Sequence, residues 1–323
     1  MDKKESDVLV IGELNMDLIF SGVESFPELG KEKIARGMNL TLGSSSAIFA
    51  ANIARLGVNV EFCGMIGNDE FKGEIVETLQ EYGVDTSLIK FSDQFKTGLT
   101  VIIQQPEDRA MITYPGAMEK FSLADIPDHA FQQARHMHVS SLFLQPALKN
   151  DLFAIIDKAK SNGMSVSIDP QWDPDEKWDL DVMKLLQNID FFLPNEAEFL
   201  HLTASETVEG GVQKLKNTSG GAVIIKRGIN GATFLSDGDS DTIPTFINEH
   251  PVDAVGAGDS FDAGFIYRFL RGDALRECVQ FANLTGAVST TQAGGTTAIT
   301  SLEEVLSIAK NTFSTNQFND ITR

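Results

Sequence analysis

The chain's 323 residues suit one large α/β domain with a small appendage, and 42% hydrophobic residues is enough for a substantial core. With 26 Lys and Arg against 46 Asp and Glu, the net charge of -20 repels phosphate backbones and anionic headgroups, so neither nucleic acid nor membrane is expected as a partner. Two cysteines in apolar stretches, Cys63 and Cys278, are too few for a disulfide framework and read as free buried thiols.

The first residues carry charge before a strand-like run, and no stretch approaches the ~18 apolar residues of a membrane span, so the cytoplasm is the expected compartment. DVLVIGEL (7–14) reads as a buried strand, and SSSAIFAANIARLG (44–57) as a helix with serine caps and a glycine stop. NVEFCGMIG (59–67) is the next strand and DEFKGEIVETLQEYG (69–83) the next helix. Two segments break the alternation. Residues 15–42 are strand-like and interrupted by Pro and Gly, and 97–115 form two extended runs around a Pro-Glu-Asp turn. Together they predict a small separate sheet inserted twice into the main domain, with residues 1–323 as a single unit.

From 135 onward, ARHMHVSSL, MSVSIDP, IDFFLPN and GAVIIKRG are strand candidates separated by helical patterns. ATFLSDGDSDTIPTF follows as a hairpin with Asp-Gly at its turn, and the polar residues 312–323 are expected to fray. Strands alternating with helices predict a doubly wound, mainly parallel sheet with helices on both faces, whose ligands bind at the carboxyl ends of the strands.

The strongest chemical signal is VDAVGAGDSFDAGFIYRFL (252–270). Gly256, Ala257 and Gly258 form a small-residue turn into a helix whose first amides, with the positive end of its dipole, suit phosphate oxygens. Asp259 in the first turn sits beside that phosphate and can accept a proton from an attacking hydroxyl. A capped helix with a Gly-rich entry would look the same. The dinucleotide fingerprint is excluded by Phe261, and the Walker phosphate loop is absent.

This stretch resembles the carboxyl-terminal signature of the ribokinase/PfkB family of carbohydrate kinases, DTxGAGD, with Ala254 in place of Thr. The resemblance extends in order along nearly the whole chain. It implies an ATP- and magnesium-dependent kinase of a sugar or sugar-acid hydroxyl. Asp259 would be the base, and the amides of Ala257, Gly258 and Asp259 the anion hole. Gly12 to Asp17 is similar to the family's first strand, which implies that Asn15 and Asp17 contact sugar hydroxyls, with Gly43 and Ser44 beside them. GMIGNDEFKGE (64–74) is similar to a further family segment. Asn195 to Glu198 matches the NxxE element, which implies that Glu198 holds magnesium through water. Lys226, Gly228 and Gly231 match the nucleotide loop. The resemblance further implies Asn283 near adenine, a potassium ion near Asp253 and the 292–295 loop, and pairing of two chains through their lid sheets, with LTVII (99–103) as the edge to cover.

Each element also has a plain reading: Asn195 and Glu196 as a helix start, Lys226 as an exposed strand-end lysine, Asn15 and Asp17 as a turn. His136 and His138 share a strand face without a third ligand nearby, so no metal site is expected there. Two departures stand out. Ser44 occupies the second position of the family's Gly-Gly turn, and Ile48 the position of a sugar-contacting Asn, which points to altered specificity. A nucleoside kinase on the same fold and a non-catalytic sugar-sensing protein are the alternatives. A kinase of phosphorylated sugars would need Lys33, Arg36 and Arg109 turned inward.

Overall fold

Val8 and Val10 are buried in one hydrophobic core and Leu9 and Ile11 in another, as a strand covered by helices on both faces requires. A computed structural model describes residues 6–104 and 109–313. The first half contains β1 (Val8–Ile11), β2 (Asn15–Ser21), β3 (Gly37–Leu42), α1 (Ser45–Arg55), β4 (Val60–Gly67), α2 (Lys72–Glu81), β5 (Val84–Ser92), β6 (Gly98–Gln104) and β7 (Arg109–Tyr114). After these come α3 (Ala130–Gln133), β8 (His136–Ser140), α4 (Pro146–Ser161), β9 (Ser165–Asp169), α5 (Val182–Leu186), β10 (Phe191–Phe192), α6 (Glu196–Leu202) and α7 (Val208–Leu215). The chain continues through β11 (Ala222–Lys226), β12 (Ala232–Ser236), β13 (Asp239–Ile243), α8 (Ala257–Leu270), α9 (Leu275–Ser289) and α10 (Leu302–Thr312).

Nine strands form the main sheet in the order β13-β12-β11-β10-β9-β8-β1-β4-β5. All neighbours from β11 to β5 are parallel, and β12 and β13 add an antiparallel edge. α1, α2, α8, α9 and α10 contribute to one core, and α3 to α7 to the other. From β1 the chain builds outward to β4 and β5, and from β8 it builds in the opposite direction. The switch point therefore lies between β1 and β8, where a doubly wound sheet opens a crevice. The smaller sheet has the order β3-β2-β6-β7, with β2 and β6 parallel, so 99–103 is paired on both sides and is not the edge it was expected to be.

β5 is a strand that the sequence reading left unassigned, between the helix ending at Gly83 and the segment starting at 97. The expected Pro-Glu-Asp turn, and residues 314–323 of the expected polar tail, lie outside the described residues. Both cysteines are free and buried. No helix among the described residues is long and apolar enough to cross a membrane.

His136 and His138 do share a face, and there they lace β8 to β9. His136 bonds Ser165 Oγ and Ser167 Oγ at 2.7 Å each, and His138 Nδ1 meets Ser167 Oγ at 2.7 Å. Phe49 stacks on the His138 ring at 3.7 Å, and burial holds both imidazoles neutral, that of His136 pushed down to about 3. They belong to the core, and no cluster of three or more metal-ligating side chains occurs among the described residues.

α8 crosses α9 where Gly264 faces Thr285. A Cβ on Gly264 would stand 2.1 Å from Thr285 Oγ1 and 3.0 Å from its Cβ. Thr285 cannot retreat, because it is fully buried and its hydroxyl donates to the carbonyls of Phe281 and Ala282. Helix propensity favours Ala over Gly by about 1 kcal/mol, whereas overpacking costs about 1–3 kcal/mol. Gly264→Ala is therefore expected to destabilise the fold by about 1–2 kcal/mol, read as a lower urea midpoint with an unchanged slope.

Candidate functional site

The entry to α8 is tight. Gly256 has φ 72°, and a Cβ there would meet Gly295 Cα at 2.5 Å and Ile48 Cγ2 at 3.1 Å. Ile48 is therefore a buried wedge that seats the turn. The Ser260 amide donates to Gly256 O at 2.8 Å and starts the helix. The Ala257 amide donates to Ala254 O at 3.3 Å, so of the three amides expected to form the anion hole it already has a partner. The amides of Gly258 and Asp259 make no hydrogen bond among the described residues and sit at the positive end of α8.

Asp259 is 7% exposed. Its Oδ1 accepts from Ser45 Oγ on α1 and from Gln171 Nε2 at 3.2 Å. Burial, then the Asp169 carboxylate, pushes its carboxyl up to about 7, against the pull of Ser45 and Lys226.

Lys226, at the end of β11, is buried and held charged by its neighbours. Its Nζ donates to Asp169 Oδ2 at 2.8 Å and to Asp262 Oδ2 at 3.0 Å. The reading of an exposed strand-end lysine is thus corrected. A Cβ on Gly258 would lie 3.6 Å from this ammonium, which therefore stands beneath the α8 amides.

Gly12 follows β1, and its bare Cα faces the α1 entry: a Cβ there would meet Ser46 Oγ at 1.9 Å. Glu13 next to it is 1% exposed. Its carboxylate accepts from the Ser46 amide at 3.2 Å, from the Ser46 hydroxyl, and from Ser141 Oγ at 3.0 Å. Ser44 adopts φ 74° in place of the family's glycine. It caps α1, accepting from the Ala47 amide at 2.9 Å and donating to Glu13 O at 2.6 Å. Its hydroxyl is thereby occupied internally.

Asn15 and Asp17 face the same place from β2. Asn15 Nδ2 donates to Asp17 Oδ1 at 2.8 Å and to Thr100 Oγ1 at 3.2 Å. Gly43 closes against them: a Cβ there would lie 2.3 Å from Asp17 Oδ1 and 2.6 Å from Asn15 Nδ2. Burial pushes the Asp17 carboxyl up to about 6, opposed by Asn15 and by the charge of Arg109. Lys33 and Arg36 pair with Glu28 and Glu24, while Arg109 is the basic residue whose charge reaches Asp17.

On the other side, Asn195 and Glu198 form a reciprocal capping box on α6. Glu198 accepts from the Asn195 amide at 2.9 Å and from Asn195 Nδ2 at 2.6 Å, while Asn195 Oδ1 accepts from the Glu198 amide at 2.9 Å. The helix-start reading is what this geometry realises. Burial, then Asp169, pushes the Glu198 carboxyl up to about 8.

Asn195 bridges to Lys226, and Gly228 follows with open space around its Cα at φ 54°. Gly231, at φ 81°, lets Ile243 O approach to 2.0 Å of where a Cβ would be. Asn283 is buried beside this point, its Nδ2 donating to Ile243 O at 3.2 Å and Pro244 O at 3.3 Å. Asp253 ties two loops, accepting from the amides of Val255 and Gly294 at 3.0 Å each.

Asp259, Lys226 and Glu198 thus gather with Asp169 near the carboxyl ends of β9 and β11. Asn15, Asp17 and Gly43 gather at β2 of the smaller sheet, and Gly231 and Asn283 meet at Ile243, while Asp253 bonds the loops at 255 and 294. Sequence reasoning missed Glu13, Ser45, Asp169, Gln171 and Asp262. Asp169 ends a strand before Pro170, and Asp262 lies one turn after Asp259, so both positions carried a usable signal. Gln171 carried none.

Residues 5–302 match the family described as pfkB family carbohydrate kinase. A 2-dehydro-3-deoxygluconokinase of Bacillus subtilis (strain 168) is 28% identical over 82% of this chain and 86% of its own length. A fructokinase of Vibrio alginolyticus is also 28% identical, over 82% of this chain and 90% of its own. The structure of Arabidopsis thaliana ribokinase complexed with ribose and ATP superposes with a TM-score of 0.82 at 24% identity, covering 96% of this chain and 99% of that one. A putative ribokinase II from E. coli in complex with ATP and magnesium gives 0.81 at 25% identity, covering 95% and 99%. With that match running from before β1 to the start of α10, the chain belongs to the pfkB family of carbohydrate kinases.

Proposed function

We propose that the protein transfers the γ-phosphoryl group of ATP to a primary hydroxyl of a sugar or sugar acid, with Asp259 as the base. One observation carries this reading: a buried carboxylate in the first turn of α8 stands beside the Gly258 and Asp259 amides, which have no other partner among the described residues. Asp259 takes the acceptor's proton as its oxygen bonds to the γ-phosphorus. The bond from phosphorus to the bridging oxygen breaks, and ADP leaves. The two amides stabilise charge on the transferring group, and the Lys226 ammonium beneath them adds to that field.

Asn15, Asp17 and Gly43 hold the acceptor, while Ser44 serves as the α1 cap. The smaller sheet, from about 15–42 and 97–115, acts as a lid on the single domain and excludes water. Asn195, Lys226, Gly228 and Gly231 line the nucleotide, with Asn283 supporting the adenine side. Magnesium supplies positive charge to the phosphates. The buried carboxylates fit such an ion, since burial and then the neighbouring Asp169 push Glu198 up against the pull of Lys226. Both Glu198 oxygens already bond Asn195, so Glu198 would hold the ion through water.

A coupled assay of ADP release should find one acceptor among ribose, fructose, 2-keto-3-deoxygluconate, nucleosides and phosphorylated sugars. Asp259→Asn should lower kcat on it by about 10²–10⁴-fold, and unchanged turnover would overturn the assignment. Since the base must be ionised, the rate should rise with pH through about 7.

Stability should move the other way. A carboxyl whose folded pKa lies above its unfolded value loses stability as pH rises, here from about 4 to about 7. Asp259→Asn should therefore unfold at higher urea than the parent at pH 8, by about 1–3 kcal/mol, with the gap closing near pH 4.

We also place a potassium ion beside Asp253. Asn52 and Arg55 already take the carbonyls of Gly295, Thr296 and Ile299, so the ion would use those of 292–294. Equal turnover in potassium and in N-methylglucamine would remove it.

The outer face of the smaller sheet carries Met38, Ile112 and Tyr114 at 69%, 70% and 55% exposure, together with Leu18, Leu40 and Val101 in register. We assign this face to a second copy of the chain. Sedimentation should then show twice 35.2 kDa, reverting to 35.2 kDa in Ile112→Asp. Free thiols and the net charge of -20 support a cytoplasmic enzyme of small molecules, without nucleic-acid or membrane partners.

A further inference from the structure

Asp259 is held asymmetrically. Ser45 Oγ and Gln171 Nε2 both donate to Oδ1, and no donor among the described residues reaches Oδ2. The two donors come from opposite walls, Ser45 from the first turn of α1 and Gln171 from the loop after β9.

Gln171 reaches its place through a backbone that a glutamine rarely adopts, φ 57°. Asp169 holds it there, accepting from the Gln171 amide at 3.3 Å and from Nε2 at 2.7 Å. The side-chain amide has two N–H groups and uses one on Asp169 and the other on Asp259. It thus lies between two buried carboxylates. Strained backbone of this kind persists where the surroundings over-determine it, and it concentrates at functional sites.

We propose that Ser45 and Gln171 are the positioning residues of the base: together they engage Oδ1 and present Oδ2 alone to the acceptor hydroxyl. This rests on Asp259 being the base. Around that carboxylate stand Glu13 from the end of β1, Asp169 from β9, Glu198 from α6 and Lys226 from β11. Of these only Lys226 favours its ionised form. Ser45 and Gln171 supply the neutral hydrogen bonds that help keep it ionised.

The test compares pH profiles of kcat/KM for the parent, Ser45→Ala, Ser45→Thr, Gln171→Gly and Asp259→Asn, each with its melting temperature. Gln171→Gly removes the amide and also the left-handed strain, so it should melt no lower than the parent. Its kcat should nevertheless fall on the order of 10- to 100-fold, as expected for a misplaced reacting group. KM for both substrates should change less than about threefold, and the acid limb should move up by about one pH unit, the direction expected when a donor to a carboxylate is lost. Ser45→Ala should move the limb the same way, and Ser45→Thr, which keeps the hydroxyl, should restore it.

If kcat falls only in step with melting temperature while the acid limb stays in place, Gln171 and Ser45 are structural and the proposal is overturned. Parent-like kinetics in both variants would overturn it equally. An inactive Asp259→Asn beside an unaffected Gln171→Gly would sink this inference alone, whereas an active Asp259→Asn would sink the base assignment beneath it.

Discussion

Lys226 places its ammonium almost wholly out of water between Asp169 and Asp262, and the rest of the site is arranged around the negative charge left over. Glu13, Asp169, Glu198, Asp259 and Asp262 are all at most 7% exposed. One lysine cannot balance five carboxylates at low dielectric, so some must be neutral or shared. Burial drives Asp262 well above the ordinary range, against the pull of Lys226, and in its protonated form it can donate to Asp169. Glu198 is pushed up in the same way. Such a concentration of buried carboxylates favours an incoming cation, and burial with Asp169 raises the proton affinity of Asp259.

The same charge cluster joins distant parts of the chain. α1 meets α8 through Ser45 on Asp259, through Ile48 against Gly256, and through Asn52, which donates to Ser260 Oγ and Gly295 O at 2.9 Å each. Ile48 therefore contributes by shape where the family's asparagine would contribute by hydrogen bonding. Its side chain is 7% exposed and is spent on the turn.

Much of this was legible in advance because it rests on local rules. Strands buried on both faces read as continuous apolar runs, and Gly256 and Gly258 announced close backbone approach before a helix. Asn195 and Glu198 carried the spacing of a capping box, and His136 with His138 the spacing of one strand face. What stayed hidden depends on tertiary geometry. The loop after β9 offers no periodicity that would bring Gln171 back over Asp259, and a left-handed glutamine has no sequence signature. Ser45 looked like one of three interchangeable serines. Only the folded chain separates Ser44, which caps the helix, from Ser45 on Asp259 and Ser46 on Glu13. For Lys226 the sequence left open a solvent-facing lysine, as strand-end lysines usually are, beside its match to the nucleotide loop.

The order of elements has a consequence for the growing chain. β1 and β4 bury Val8, Val10 and Phe62 in the core that also holds Phe261, Phe265 and Phe281. Those aromatic residues belong to α8 and α9, which follow every strand in sequence. While the ribosome is still making residues 257–289, the sheet has been synthesised but one of its faces lacks most of its cover. A parallel sheet with bare apolar surface is a target for aggregation and for holding chaperones. Truncation within α8 would leave the nascent chain in that condition permanently.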